Sequence, residues 1–393
     1  MTDVVVLSSV RTPIGAFQGS LAAATAPELG AQALRSAIER AGLVPADIDQ
    51  VNMGCVLPAG IGQAPARQAT LAAGCPQSTG AVTVNKVCGS GMRTVMMAAN
   101  DLRCGDFQIV AAGGMESMSN APYLMPEARQ GLRLGEKKLI DSIVHDGLWD
   151  VYGDKHMGNC AETCAAHYSF TREEQDAFAE ESYRRAVAAS EAGEFAGEIT
   201  PVDVTVRRKT QTVERDEEPF RFDADKARAL RAAFQKEGTV TAANASSLSD
   251  GASALVLTTD AVCRERGLAL QARVLAHASF AQEPEWFTTA PIGAVKLALE
   301  RAGLQASDID LYEINEAFSV VVLACMKELG LHHDQVNVRG GSVALGHPIG
   351  ASGARIVTTL LHAMEARGAR RGCAAICIGG GEATAIILER SAD

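Results

Sequence analysis

The chain has 393 residues, is 47% hydrophobic and 21% charged, and carries 47 acidic against 36 basic side chains for a net charge of −11. That length suits two ordinary domains or one large double one, and the apolar content is enough for a sizeable core rather than a disordered chain. The acidic excess argues against a phosphate-backbone surface, and no apolar run is long enough to cross a bilayer.

Val4–Leu7 reads as a strand entered at once, without a presequence pattern ahead of it, which predicts an uncleaved cytoplasmic protein. Ten cysteines without a pairing rhythm suit that compartment. There is no Cys-x-x-Cys, and the four-apart pairs Cys160/Cys164 and Cys373/Cys377 lack the companions a zinc site needs. Most of these thiols are expected to be small buried hydrophobes, and His332-His333, in a polar turn, is expected to be solvated.

The most informative feature is an internal repeat. Ala37-Ile-Glu-Arg-Ala-Gly-Leu43 followed by Asp47-Ile-Asp49 returns as Ala298-Leu-Glu-Arg-Ala-Gly-Leu304 followed by Asp308-Ile-Asp310. Each copy reads as a helix closed by glycine, a loop, and a strand. Ser90-Gly91-x-Arg93, opening an Ala-rich helical run, likewise returns as Ser352-Gly353-x-Arg355. Both runs lead to apolar strands ending in glycines and a glutamate, at Gly113-Gly-Met-Glu116 and Gly380-Gly-Glu382. Two matches in one order predict two similar α/β halves, divided as residues 1–270 and 271–393. Residues from about 120 to 245 differ in character, with the clustered charges Arg207-Arg208-Lys209 and Glu214–Glu218 and a helix starting at the capping pattern Thr171-x-x-Glu174. That segment reads as a loop domain inserted in the first half.

Cys88 lies in Asn85-Lys-Val-Cys-Gly-Ser-Gly-Met92, at a turn before a helix, where unsatisfied N–H groups should lower the thiol pKa. Three later patches add the parts of an acyl-transfer site: Asn315-Glu-Ala-Phe318, a glycine-rich loop carrying His347, and Cys377 before Gly379-Gly-Gly381.

With these residues in order, the chain resembles the thiolases from end to end, and within them the acetoacetyl-CoA-forming branch. Arg11-Thr-Pro-Ile-Gly15, Asn85–Met92, Gly113-Gly-Met-Glu-Ser117, Asn315-Glu-Ala-Phe318, Gly346-His-Pro348 and Cys377 carry the resemblance. It implies a duplicated five-layered α/β/α/β/α fold with an inserted loop domain. It also implies ping-pong condensation of two acetyl-CoA to acetoacetyl-CoA and CoA, or the reverse thiolysis. In that scheme His347 takes the Cys88 proton, Cys88 holds the acetyl group, and Cys377 removes a Cα proton from the second acetyl-CoA. The N–H groups of Cys88 and Gly379 stabilise one oxyanion, and His347 with a water on Asn315 the other.

For CoA, the resemblance points to Arg221, Asp223 and Lys226 at the nucleotide and Ser246 at the pantetheine. His156 and Met157 would crowd the acyl pocket, with Leu148, Phe234, Phe287, Ala317 and Phe318 as apolar walls. No cofactor is required, but in one branch a potassium ion is held at the places occupied here by Tyr183, Ala242, Ala243, Ala245 and Val343. A homodimer or homotetramer is implied. Phe287-Thr288 departs from short-chain relatives. So does Glu382, a carboxylate beyond the glycine run that would raise the Cys377 pKa if it lay alongside.

Rival readings remain. A ketoacyl synthase would use a second histidine where Asn315 stands, and a hydroxymethylglutaryl-CoA synthase would need a glutamate acid. A catalytically silent acyl-CoA or lipid-binding relative would be marked by loss of Cys88, His347 or Cys377. A 3-ketoacyl-CoA thiolase of broader chain length conflicts with His156-Met157.

Overall fold

The computed structural model describes residues 2–390. In the first half, β1 (Val4–Arg11), α1 (Ala26–Arg40), β2 (Gln50–Gly54), β3 (Gly80–Val84), α2 (Ser90–Cys104) and β4 (Ile109–Ser117) precede an insertion. The insertion holds α3 (Met157–Tyr168), α4 (Arg172–Glu191) and a hairpin of β5 (Val202–Val206) and β6 (Lys209–Val213), and the half closes with β7 (Ser249–Thr259). The second half runs β8 (Ala272–Ala281), α5 (Ala290–Ala302), β9 (Leu311–Ile314), α6 (Ser319–Leu329), α7 (Ile349–Arg367), β10 (Arg371–Ile378) and β11 (Glu382–Glu389).

One ten-stranded sheet, ordered β9-β10-β11-β8-β1-β7-β4-β2-β3 with the short strand Gly15–Ala16 beside β7, joins the halves where β1 pairs antiparallel with β8. Alternation along each strand builds the layers. Val4, Val6, Leu255 and Leu257 face inward with Ala374, Ile376 and Ile386, enclosing α2 and α7. Val5, Leu7 and Val256 face outward to α1, and Cys373, Ala375 and Ile387 face α5 and α6. Helix, half-sheet, paired helices, half-sheet and helix make the expected five layers. Strands covered on both faces account for the unbroken apolar runs.

The duplication extends to individual hydrogen bonds. Asp49 accepts from the N–H groups of Gln108 and Ile109, and its counterpart Asp310 from those of Arg370 and Arg371. The parallel registers Gln50↔Val110 and Leu311↔Gly372 correspond, as do bulges between Val6 and Ser8 and between Val274 and Ala276. The symmetry fails at one edge, where the counterpart of β3 is a single parallel bridge, Tyr312↔Val336.

The insertion is pinned to this frame through Arg11. Its fully buried guanidinium bonds Glu198 at 2.5 Å and Asp216 at 2.7 and 2.8 Å, and Asp216 also accepts from the Ile14 N–H. Deleting one partner would strand a buried charge, a loss of about 3–5 kcal/mol. Helix α4 starts where expected, with Thr171 and Glu174 bonded reciprocally. Helix α3 is an addition, capped by the His156 imidazole accepting from the Gly158 N–H. His333 differs from expectation too. It is half-buried and stacks on Phe178 with 5.0 Å between centroids, because α4 reaches over that turn.

At the centre, α2 and α7 meet without intervening side chains. A Cβ on Gly91 would sit 2.7 Å from the Ala354 nitrogen and 3.0 Å from the Gly350 oxygen. Gly91→Ala is therefore expected to lower stability by about 1–3 kcal/mol through overpacking, read as a fall of several degrees in the thermal midpoint. An unchanged midpoint would show that the helices can separate freely.

Candidate active site

The turn before α2 is held by Ser90. Its hydroxyl accepts from the Lys86 N–H and donates to the Val87 carbonyl, while Val87 takes φ 47°, a left-handed conformation unfavourable for a β-branched residue. This bend presents Cys88 just ahead of the helix start. Ser352 plays the corresponding part before α7: it donates to the Pro348 carbonyl and meets His347 Nδ1 at 2.5 Å. With the serine proton spent on that carbonyl, Nδ1 carries its own hydrogen and Nε2 is left as the basic nitrogen. His347 Nε2 has no protein partner although the residue is buried.

Cys88, His347 and Gly379 line one pocket of about 630 Å³ including its open mouth. Leu148, His156, Met157, Phe234, Ser246, Phe287, Ala317 and Phe318 complete its expected wall. His156 stacks on Phe234 at 4.8 Å, and Phe318 meets Phe234 and Phe287 edge-on at 6.1 and 6.4 Å. Ser246 donates both its N–H and its hydroxyl to the Ala317 carbonyl, fastening two wall segments together. Met118, Gly147, Ser247, Leu248 and Ile349 also line it. All but Ile349, which belongs to the His347 loop, lie outside the recognisable motifs, and only the folded chain brings them in.

Cys377 is fully buried behind the pocket wall, among Met157, Phe287, Ala317 and Phe318, and within electrostatic reach of Cys88. Asn315 does not line the pocket. Its Oδ1 accepts from Ser342, which also accepts from Arg355, leaving the buried Nδ2 without a protein partner. Its neighbour Glu316 accepts from Ser182, Asn337 and the Val343 N–H, a structural tie between α4 and the His347 loop. Arg221, Asp223 and Lys226 are not brought to the pocket lining; they lie on the surface, Lys226 paired with Asp223 and Arg221 with Glu218. Tyr183 and Val343 share one cluster, while Ala245 lies in the pocket wall, Ala243 is half-buried and Ala242 is exposed.

The electrostatics correct two expectations. Burial pushes the Cys88 thiol up to about 11, outweighing the N–H groups of Gly379 and Cys88 that pull it down. The helix start is present but does not yield a resting thiolate. Glu382 is turned away from Cys377 and paired with Lys86. Cys377 is instead raised well above a normal thiol by burial and then by Cys88. His347 is brought down to about 3 by burial and by the charge on Arg355, so it rests neutral.

Glu116, unassigned by sequence reasoning, sits behind the site. It accepts from the N–H groups of Val56, Leu57 and Gly350, and burial raises it to about 7. Its place in Gly113-Gly-Met-Glu116 was the available signal. Among the described residues, no cluster of three or more His, Cys, Asp or Glu could hold a metal ion, and no helix is long and apolar enough to cross a membrane.

Models of the thiolase N-terminal domain and the thiolase C-terminal domain match residues 4–261 and 268–390. The chain belongs to the thiolase family. It is 50% identical over 390 residues to acetyl-CoA acetyltransferase 2 of Arabidopsis thaliana, covering 98% of this chain and 97% of that protein. It is 49% identical over 392 residues to acetyl-CoA acetyltransferase of Pseudomonas aeruginosa, covering 99% and 100%. The crystal structure of the Acat5 thiolase from Ascaris suum in complex with coenzyme A superposes with a TM-score of 0.94 at 46% identity, over 99% of this chain and 100% of that one.

A neutral cysteine beside a neutral histidine has a kinetic signature. Alkylation of Cys88 by iodoacetamide, followed by peptide mass spectrometry, should rise about tenfold per pH unit from pH 6 to 9, since only the thiolate reacts. A plateau reaching down to pH 5 would instead reveal a thiolate–imidazolium pair.

Proposed function

We propose that this protein is an acetyl-CoA C-acetyltransferase that interconverts two acetyl-CoA with acetoacetyl-CoA and CoA through an acetyl group on Cys88. The observation that carries this reading is the convergence of Cys88, His347 Nε2 and the Gly379 N–H on one apolar pocket, with Cys377 behind its wall.

Because both partners rest neutral, the Cys88 proton passes to His347 Nε2 as the sulfur attacks the thioester carbonyl. The N–H groups of Cys88 and Gly379 receive the developing oxyanion. Collapse expels the CoA thiolate, which takes the proton back from His347 and leaves as the thiol. In the second half-reaction Cys377 loses its proton to solvent, then takes one from Cα of acetyl-CoA. The resulting enolate oxygen faces His347 and a water on the free Asn315 Nδ2. The carbanion attacks acetyl-Cys88, the Cys88 thiolate leaves and is protonated by Cys377, and Cys377 recovers from solvent the proton it had lost. His347→Ala should slow Cys88 acetylation about 10²–10⁴-fold, measured by intact-protein mass spectrometry after mixing with acetyl-CoA. Undiminished acetylation would remove His347 from the mechanism.

Met157, Phe234, Phe287 and Phe318 close the pocket beyond Cys88, which supports short acyl chains. Thiolysis of 3-ketoacyl-CoA substrates of four to ten carbons should therefore show kcat/KM falling at least tenfold from the shortest to the longest, with Met157→Ala flattening the profile. Flat or rising activity with length would move the protein to the broader 3-ketoacyl-CoA thiolases.

The same reading places Arg221, Asp223 and Lys226 at the CoA nucleotide, reached as the ion pairs on that surface open. It includes a potassium ion near Tyr183 and the Ala242–Ala245 turn. Glu218 and Glu316 raise the Tyr183 hydroxyl's pKa after burial itself, a negative field that a cation would offset. The ion would order that turn against Val343 and take no part in bond making. A homodimer or homotetramer in the cytoplasm completes the proposal, supported by the open sheet edge at β3 and ten free thiols.

A further inference from the structure

The oxyanion donor Gly379 belongs to a turn with little to hold it. Gly379, Gly380 and Gly381 form the loop between β10 and β11, whose ladder ends at the cross-strand pair Ile378↔Glu382. Gly380 and Gly381 take φ 90° and 83°. Three glycines give the turn no side chains, and glycine has the widest conformational freedom of any residue. One side of the loop is fastened by the Gly381 carbonyl, which accepts from the Gln282 N–H.

The other fastening is the ion pair between Glu382 and Lys86. Glu382 opens β11 directly after the glycines. Lys86 opens the turn that presents Cys88: its N–H is held by Ser90, and its carbonyl accepts from the Gly89 N–H. Gly89, next to Cys88, packs directly on Ile378, next to Cys377. The pair thus bridges the segment of the nucleophile and the segment of its oxyanion donor, which are 296 residues apart in sequence.

We propose that Lys86 and Glu382 form a positioning clamp that holds the Gly379 amide in register with the Cys88 sulfur. Neither side chain lines the pocket, and neither touches the reacting atoms. Cys88 shares its pocket with His347 and lies within electrostatic reach of Cys377 and Glu116, so the clamp acts through placement of the two turns. This inference rests on the acetyltransferase reading for its kinetic consequence, though not for its structural one.

A clamp and a bare charge effect differ in sign. If the charges simply acted on Cys88 through space, Lys86→Gln and Glu382→Gln would change its reactivity in opposite directions. A clamp predicts that both lower kcat, by roughly three- to tenfold, with KM for acetoacetyl-CoA within about twofold. The double variant should be no worse than either single one, and the exchanged pair Lys86→Glu with Glu382→Lys should recover most of the loss. Hydrogen exchange supplies a readout independent of activity: peptides spanning 85–90 and 378–382 should exchange faster in both single variants and return towards wild type in the exchanged pair. Opposite effects on kcat, multiplicative losses in the double variant, or unchanged exchange in both peptides would overturn the clamp. Absence of acetyl transfer by the wild-type enzyme would overturn the functional reading, while the exchange data would still decide the clamp.

Discussion

The contact on which the rest of the molecule depends is backbone against backbone, where the first turns of α2 and α7 cross. Gly91 and Gly353 are counterparts in the repeat, and each lies where a Cβ would collide with the other helix. Gly54, Gly114 and Gly350 extend the same close approach to β2 and β4. Each helix carries a reactive loop at its start. Bringing the starts within backbone contact therefore brings Cys88 and His347 to one place, and a single larger residue here would push apart the partners of the proposed proton transfer. The sheet on either side supplies the rigidity that makes this closeness permanent.

Burial then sets the charge state of everything the contact gathers. The thiols of Cys88 and Cys377 are raised and the His347 imidazole is lowered, each chiefly by desolvation. At neutral pH the resting site is uncharged where bonds form, so charge appears only as the thioester is attacked. Donors fixed around a dry pocket are worth most at that moment, because they need no reorganisation. The charged groups that do exist stand one layer back. Arg355 adds its charge to burial in keeping His347 neutral while donating to Ser342, and Glu116 ties the N–H groups of Val56 and Leu57 to that of Gly350 beyond the His347 loop.

How much of this could be read from the residue string varies with the range of the interaction. The Thr171 cap, the glycine-closed repeat helices and the apolar strands were legible, because they depend on neighbours within a few residues. So were Cys88, His347 and Cys377 as candidates, each set in or beside a glycine-rich turn, and the fold brings the first two to one pocket. The cap on α3 was not, since a histidine accepting through Nδ1 is not a usual capping residue. Ser352 was visible as a repeat of Ser90 but not as the partner that fixes the His347 tautomer. Glu382 stands five residues past Cys377, but its cross-strand pairing with Ile378 puts it on the opposite face from that thiol, and its carboxylate meets Lys86.

The order of motifs along the chain was enough for the family, the duplication, the layered fold and the candidates for nucleophile, bases and apolar wall. These are properties of residue type and local spacing, and the string carries them directly. The sign of the Cys88 shift, the free nitrogen of His347, the withdrawal of Asn315 behind Ser342 and the pairing of Lys86 with Glu382 were decided by the tertiary structure alone. Each is a balance between desolvation and a few hydrogen bonds from distant segments. Such a balance exists only once the chain has closed around it.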